Sequence, residues 1–238
     1  FVIIYLKNLP CKIDYLHFIN NEKGFLSKFL KISLPVIFNE MLWSLGVTIY
    51  TVIYARISTS AVAASNIALT IERFAFVFFI GLANSSSVLI GNYIGKKHYK
   101  MAIDFANKGI ILSIVTGILI GLFIFFLTPY ILLLFKVSLQ VKEIVKGIIL
   151  IYSFIITLRA VNVLLIVGIF RSGGDTTFSL IVDAGAVWFF GIPLGALAAF
   201  VFKLSVPLVF LAISSEEIVK VIFSMIRFLN KKWINNLT

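Results

Sequence analysis

The sequence has one cysteine, Cys11, and two histidines, His17 and His98. A single cysteine forms no intramolecular disulfide, and these three residues lie scattered in polar stretches, so neither a disulfide scaffold nor a zinc set can be built. Charge is scarce too, at 13% of residues, with 10 acids against 21 bases. Glycine-rich phosphate loops, paired catalytic carboxylates and a nucleophile beside a base are all lacking, and the chain reads as no enzyme.

What is present is apolar. Of 238 residues 61% are hydrophobic, 24 of them Phe, and the mean hydropathy is +1.08. This is the composition of a membrane protein rather than of a soluble domain. Each crossing takes about 20 predominantly apolar residues, so the chain holds several helices joined by short loops. A net charge of +11 would point to nucleic acid in a soluble protein. Here the bases sit in the gaps between apolar runs, as in cytoplasmic loops, so the charge reports topology and nucleic acid is not a partner.

Apolar runs near 32–55, 61–94, 108–128, 144–170, 177–202 and 204–229 give six predicted spans. Short gaps make neighbouring spans antiparallel, and closed helices satisfy the backbone in lipid. The fold class is therefore all-α integral membrane, a six-transmembrane-helix bundle. Residues 1–9 read as the tail of a preceding transmembrane helix, 10–30 as a polar cytoplasmic linker, 31–230 as the bundle and 231–238 as a cytoplasmic tail. The linker side collects Lys7, Lys12, Lys23, Lys28, Lys31, Lys96, Lys97, Lys100, Arg171, Arg227, Lys231 and Lys232. The opposite side has Arg56, Lys136, Lys142, Lys146 and Lys203, so the first side faces the cytoplasm. Gly91/Gly95, Gly117/Gly121 and Gly191/Gly195 offer close helix contacts.

Glu40 lies inside the uncharged stretch between Lys31 and Arg56. An ionisable residue at the centre of a membrane helix costs roughly 2.5 to 3.5 kcal/mol on insertion scales, so it calls for a partner, an ion or a proton. Helical spacing puts Val36, Glu40, Trp43, Val47, Tyr50 and Tyr54 on one stripe, which should face the bundle or a watery cavity. A carboxylate among aromatic rings can hold a cation or exchange a proton. The structural alternative ties Glu40 to a buried arginine, Arg73 or Arg159. On the fourth span Tyr152, Arg159 and Asn162 share a face, while Glu72 and Arg73 lie in the second span and Asp183 in the fifth. Glu40, Glu72 and Asp183 against Arg73 and Arg159 leave one carboxylate over, the need of a site that trades a proton or a cation. Glu216 and Glu217 interrupt the last span, and the spacing of Glu216 to Lys220 suits a helical ion pair placed near the membrane surface. The run Arg171-Ser-Gly-Gly-Asp175-Thr176 reads as a loop whose Asp175 or Thr176 caps the next helix.

Three ordered motifs, Pro35-Val-Ile-Phe-Asn-Glu40, Gly81-Leu-Ala-Asn-Ser-Ser-Ser-Val-Leu-Ile-Gly-Asn-Tyr-Ile-Gly95 and Arg171-Ser-Gly-Gly-Asp-Thr176, together resemble the carboxy-terminal half of a multidrug and toxic compound extrusion (MATE) transporter. The resemblance runs from about Phe29 to Trp233. It implies one lobe of a two-lobe, twelve-helix transporter, with a missing amino-terminal six-helix lobe as partner. It also implies export of drugs or other amphipathic or cationic small molecules in exchange for H+ or Na+, with no other cofactor, at a prokaryotic plasma membrane. Glu40 matches the cation-site acid of the seventh helix and is the possible sodium ligand; Asn39, Trp43, Tyr50, Tyr152, Arg159 and Asn162 are its expected neighbours, with Arg171 and Asp175 marking the cytoplasmic loop motif. The chain departs from some sodium-coupled members, which carry an aspartate around the position of Arg159 and Ala160, so Arg159 is expected to be the resting partner of Glu40. The alternatives are a flippase for lipid-linked saccharides and a non-transporting membrane interaction module.

Overall fold

A computed structural model describes residues 25–235, all of it helix and connecting turns. The predicted residues 1–9, most of the linker and the last residues of the tail lie outside the described residues. Helix α1 (Phe25–Ile57) begins within the stretch expected to be linker and carries Pro35. Helix α2 (Thr59–Gly95) starts at Ser58, whose hydroxyl accepts from the Ala61 amide at 3.0 Å, one of the four orphan donors of a helix start. Helix α3 is Tyr99–Leu133. Helix α4 (Leu139–Val163) runs on as a π-helical segment, Leu164–Phe170. Gly174 then takes a φ of 79°, which only a residue lacking Cβ adopts freely, and turns the chain into α5 (Thr176–Ala186).

The fifth span continues through a π turn at Val187–Gly191, the short α6 (Ile192–Ala196) and a second π turn at Leu197–Val201. Pro193 has no N–H to give to the carbonyl four residues back, which favours rearranged bonding there. The sixth predicted span is divided: α7 (Val206–Ser214) and α8 (Glu216–Leu229) meet at Ser215. Five helical stretches, Phe29–Ile57, Thr59–Gly95, Tyr99–Leu133, Leu139–Phe170 and Thr176–Val201, are long and apolar enough to cross a membrane. The last span falls outside that set because of its break at Ser215 and the charges that follow it.

Two of the three glycine pairs act as expected. A Cβ on Gly117 would come within 2.8 Å of Thr157 Cα, and one on Gly121 would run into the Ser153 carbonyl, so α3 and α4 approach through their backbones. Gly191 and Gly195 are equally crowded. Gly91 and Gly95 are not: Gly95 faces open space, and Gly91 has ordinary contact with Ser172 at 3.9 Å.

Two apolar cores result. One holds Ile53, Ile71, Ile148, Ile156, Val209 and Ile213; the other holds Ile90, Leu165, Ile169, Phe170, Phe228 and Trp233. Helix α4 contributes to both, Ile148, Ile156 and Val163 to the first and Val161 to the second, whereas α7 serves the first through Val209 and Ile213 and α8 the second through Phe228. Outside, Phe74, Phe78, Phe123, Phe126, Phe154 and Phe189 are exposed, as suits a surface that meets lipid tails. The tail is not loose at Trp233: its indole is fully buried, stacks on Phe228 at 5.9 Å and covers Gly173, while the Asn235 amide donates to the Gly173 carbonyl at 2.9 Å.

Candidate functional site

Of the stripe of α1 read from helical spacing, the stretch from Trp43 to Tyr54 faces the interior, while Glu40 is exposed. Trp43, Val47, Tyr50 and Tyr54 line a cavity closed by Glu72 of α2, Tyr152 and Arg159 of α4, Phe210 of α7, and Glu216 and Glu217 of α8. A second cavity is lined by Glu40, Trp43, Asn162, Arg159, Arg171, Asp183, Glu217 and Lys220. Trp43, Arg159 and Glu217 belong to both, so they form the partition between an aromatic chamber and a charged one.

Glu40 is not where the sequence put its partner. It is paired with Arg171, whose Nη2 lies 2.7 Å from Oε1, and the Glu40 side chain is 58% exposed. The π-helical end of α4 carries Arg171 back over α1, a placement that α-helical spacing alone does not give. Neither expected arginine reaches Glu40. Arg73 points outward from α2. Arg159 is paired with Glu72, and its Nε lies 3.3 Å from Glu217 Oε1.

Glu216 and Glu217, expected near the membrane surface, are instead buried in the centre of the bundle. The break at Ser215 sets the first residues of α8 inward, where Arg159 of α4 and Lys220 of the same helix pair with them. The ion pair of Glu216 with Lys220 is present, at 3.2 Å, but it is a buried one. Lys220 also lies 3.0 Å from Asp183 Oδ1 and 3.9 Å from Glu217 Oε1. Removing one member of a buried ionic group leaves the others uncompensated, which typically costs about 3–5 kcal/mol, so this cluster is held together as a unit. Lys220 was missed as a site residue; the Glu216-Glu217-x-x-Lys220 spacing was the available signal.

The polar neighbours divide between the acids. Asn39, 1% exposed, turns away from Glu40 and donates through Nδ2 to Asp183 Oδ2 at 3.0 Å. Asn162 donates through Nδ2 to Glu217 Oε2 at 2.7 Å and to the Glu217 carbonyl at 2.8 Å. The Tyr50 hydroxyl donates to Glu216 Oε2. Tyr152 lines the aromatic chamber with its hydroxyl buried and unpartnered. Trp188 donates its indole N–H to the Leu42 carbonyl at 3.1 Å, fastening α1 to the first π turn of the fifth span.

Asp175 does not cap the helix that follows it. Its two carboxylate oxygens instead accept from Arg227 Nε at 2.7 Å and Nη2 at 3.1 Å, a fork that Arg alone can supply. The Arg227 guanidinium lies 4.8 Å from the Phe178 ring centroid, so the loop motif is a clamp between α5 and α8. It is separate from the Glu40–Arg171 contact. Among the described residues no three His, Cys, Asp or Glu side chains converge closely enough to hold a metal ion.

A family model described as MatE matches residues 35–197, well over half of the chain. The chain belongs to the MatE family. Among curated proteins this MatE chain is 24% identical over 172 residues to a "Probable multidrug resistance protein NorM" of Bacillus cereus, covering 72% of this chain and 38% of that protein. It is 22% identical over 207 residues to a NorM of the same description from Thermotoga maritima, covering 86% and 44%. It is 23% identical over 240 residues to the "Uncharacterized transporter YisQ" of Bacillus subtilis, covering 98% and 51%. The chain thus spans 38% to 51% of the length of these relatives.

Among solved structures the MatE chain is similar to a MOP superfamily transporter from Pyrococcus furiosus, with a TM-score of 0.81 at 15% identity, covering 87% of this chain and 46% of that one. It is similar also to the Vibrio cholerae MATE transporter VcmN in its bent form, with a TM-score of 0.81 at 18% identity, covering 93% and 51%. The likeness is one of fold: an all-α membrane bundle that matches about half of a MATE transporter, as the sequence motifs implied.

Proposed function

We propose that the chain is the carboxy-terminal lobe of a secondary active antiporter that exports drugs or other amphipathic or cationic small molecules, coupled to H+ or Na+, in a prokaryotic plasma membrane. Residues 31–230 make the lobe, which works against a second six-helix lobe by alternating access about a midplane site, the scheme that repeated bundles permit. Glu40, exposed on its side chain, is the residue offered to that second lobe and to the coupling cation. The observation that carries the reading is the aromatic chamber of Trp43, Tyr50, Tyr54, Tyr152 and Phe210 set directly against Glu72, Glu216 and Glu217. Rings and carboxylates side by side suit organic cations through charge and ring-face attraction, and a largely apolar wall suits many shapes.

The flippase alternative needs a cationic surface for anionic headgroups. Arg159, Arg171 and Lys220 are each already held by carboxylates, which speaks against it. The test is efflux of a fluorescent organic cation from cells or vesicles carrying the intact protein, under imposed proton or sodium gradients, in the wild type and in Glu40→Gln. Gradient-driven efflux that the substitution reduces is the expected result. Efflux unchanged in Glu40→Gln removes Glu40 from coupling, and an absence of efflux under every gradient removes the antiporter reading.

A further inference from the structure

Two cavities of the lobe share a wall. The aromatic chamber and a groove on the outside of the bundle are both lined by Ile155 of α4 and Ser214 of α7. The groove runs over the end of the fifth span and the last span, where Leu197, Phe202, Leu208, Leu211 and Ile218 line it, each between 43% and 67% exposed. Its lining is apolar except for Ser214 and Ser215. The break between α7 and α8 sets the two cavities side by side: Glu216 and Glu217 line the chamber, while Ser215 and Ile218 line the groove.

The two differ in size and in charge. The chamber holds about 70 Å³ and the groove about 530 Å³. Pockets for whole small molecules run to roughly 300–1,000 Å³, so the chamber admits a headgroup and the groove a body. Among the described residues Glu72, Asp183, Glu216 and Glu217 meet only Arg159 and Lys220, four acids to two bases, so the chamber end draws in a cation and rejects an anion. The Tyr152 hydroxyl adds a third condition. Its residue is 3% exposed, it lines the chamber, and it has no hydrogen-bond partner. Buried polar groups are normally partnered, and a phenol oxygen accepts from an N–H. A primary ammonium is small, cationic and rich in N–H; a trimethylammonium has the charge, but more bulk and no N–H.

Lipid tails are as apolar as the groove, so an alkyl chain gains little by leaving the bilayer for it. The attraction comes from the chamber, and the groove lets the chain stay in apolar surroundings while its head lies inside. We infer that chamber and groove are two halves of one site for a single-chain alkylammonium. Its head sits among Tyr152, Glu216 and Glu217, its chain lies over Leu197, Leu208 and Leu211, and the two join past Ile155 and Ser214. The inference rests on the transport reading for the ligand's role as cargo; the site itself is measured by binding alone.

The experiment is tryptophan quenching by ω-bromododecylammonium in the intact protein, held in phosphatidylcholine nanodiscs. Leu208→Trp reports on the groove, and Phe126→Trp, at a position 67% exposed, reports on plain lipid-facing surface. Each signal is read as the difference from the unsubstituted protein. The bromine at the chain end should quench Leu208→Trp saturably, and at far lower concentration than Phe126→Trp. Adding Tyr152→Phe should raise the concentration for half quenching about tenfold, as expected for a lost hydrogen bond to a charged group. Adding Ser214→Phe, which plugs the passage, should raise it to that of Phe126→Trp. The trimethylammonium and sulfate analogues should quench the two reporters alike. Equal quenching of both reporters by the primary ammonium would mean simple partition into the bilayer and overturns the inference. So does preferential quenching of Leu208→Trp by the sulfate, which would mean a groove for any lipid chain, or by the trimethylammonium as strongly as by the primary ammonium. Unchanged binding in Tyr152→Phe also overturns it. If Ser214→Phe does not fold, the comparison of the three headgroups decides alone. Binding as expected in a protein that effluxes no cation leaves the site standing and defeats only the antiporter reading; efflux of a compact cation without such binding does the reverse.

Discussion

The Tyr50 hydroxyl meets the Glu216 carboxylate in the space left open by Gly191, where a Cβ would collide with both. The contact joins α1 to α8 through a gap in the fifth span. It exists because the π turn brings a residue without a side chain to that point.

Gly191→Ala should therefore separate Tyr50 from Glu216 while leaving insertion intact. Overpacking of this kind costs about 1–3 kcal/mol, and Tyr50→Phe should lose less, since it removes the bond without adding bulk. Thermal unfolding in detergent checks the order: a Gly191→Ala protein as stable as the wild type would mean that the fifth span yields more easily than its crowding suggests.

The Glu40–Arg171 pair has its acid largely in the open. Exposed ion pairs contribute about 0–1 kcal/mol, so Glu40→Gln should scarcely move the unfolding temperature even where it abolishes efflux. The exchange Glu40→Arg with Arg171→Glu should keep the stability and fail to restore efflux. Full restoration by the exchange would show that the pair is a structural tie and nothing more.

Close backbone packing at Gly121 predicts a contrast with Gly81. A Cβ on Gly121 strikes the Ser153 carbonyl, whereas one on Gly81 meets nothing within 4 Å. Gly121→Ala should destabilise by about 1–3 kcal/mol, and Gly81→Ala should be neutral or stabilising by up to about 1 kcal/mol, because alanine is the better helix former. Chemical unfolding of the two variants side by side reads the difference directly.

The bundle was legible because length and apolarity dictate helices in lipid, and the inward stripe of α1 was legible because 3.6-residue spacing needs no tertiary knowledge. The partners were harder to see. Spacing says which face Glu40 occupies, but the side chain opposite is chosen by the π-helical end of α4, which shifts Arg171 out of helical phase. Glu216 and Glu217 misled for a related reason. Charges late in an apolar run look like a surface, and only the break at Ser215 and Arg159 across the bundle show that they face inward. The local sequence offers Asp175 or Thr176 as a cap, and for Asp175 a guanidinium on α8 takes both carboxylate oxygens instead.

The bond between Asn235 and Gly173 fixes a parity. Arg171 to Asp175 follow an even number of crossings from Phe25, so the tail that bonds to that loop must emerge on the same side of the membrane as the start of α1. A count of only the five long apolar helices would leave the tail on the far side. The charged, broken segment Val206–Leu229 must therefore cross, and a tag attached after Asn235 and a thiol label placed at His98 would be reached from one and the same compartment.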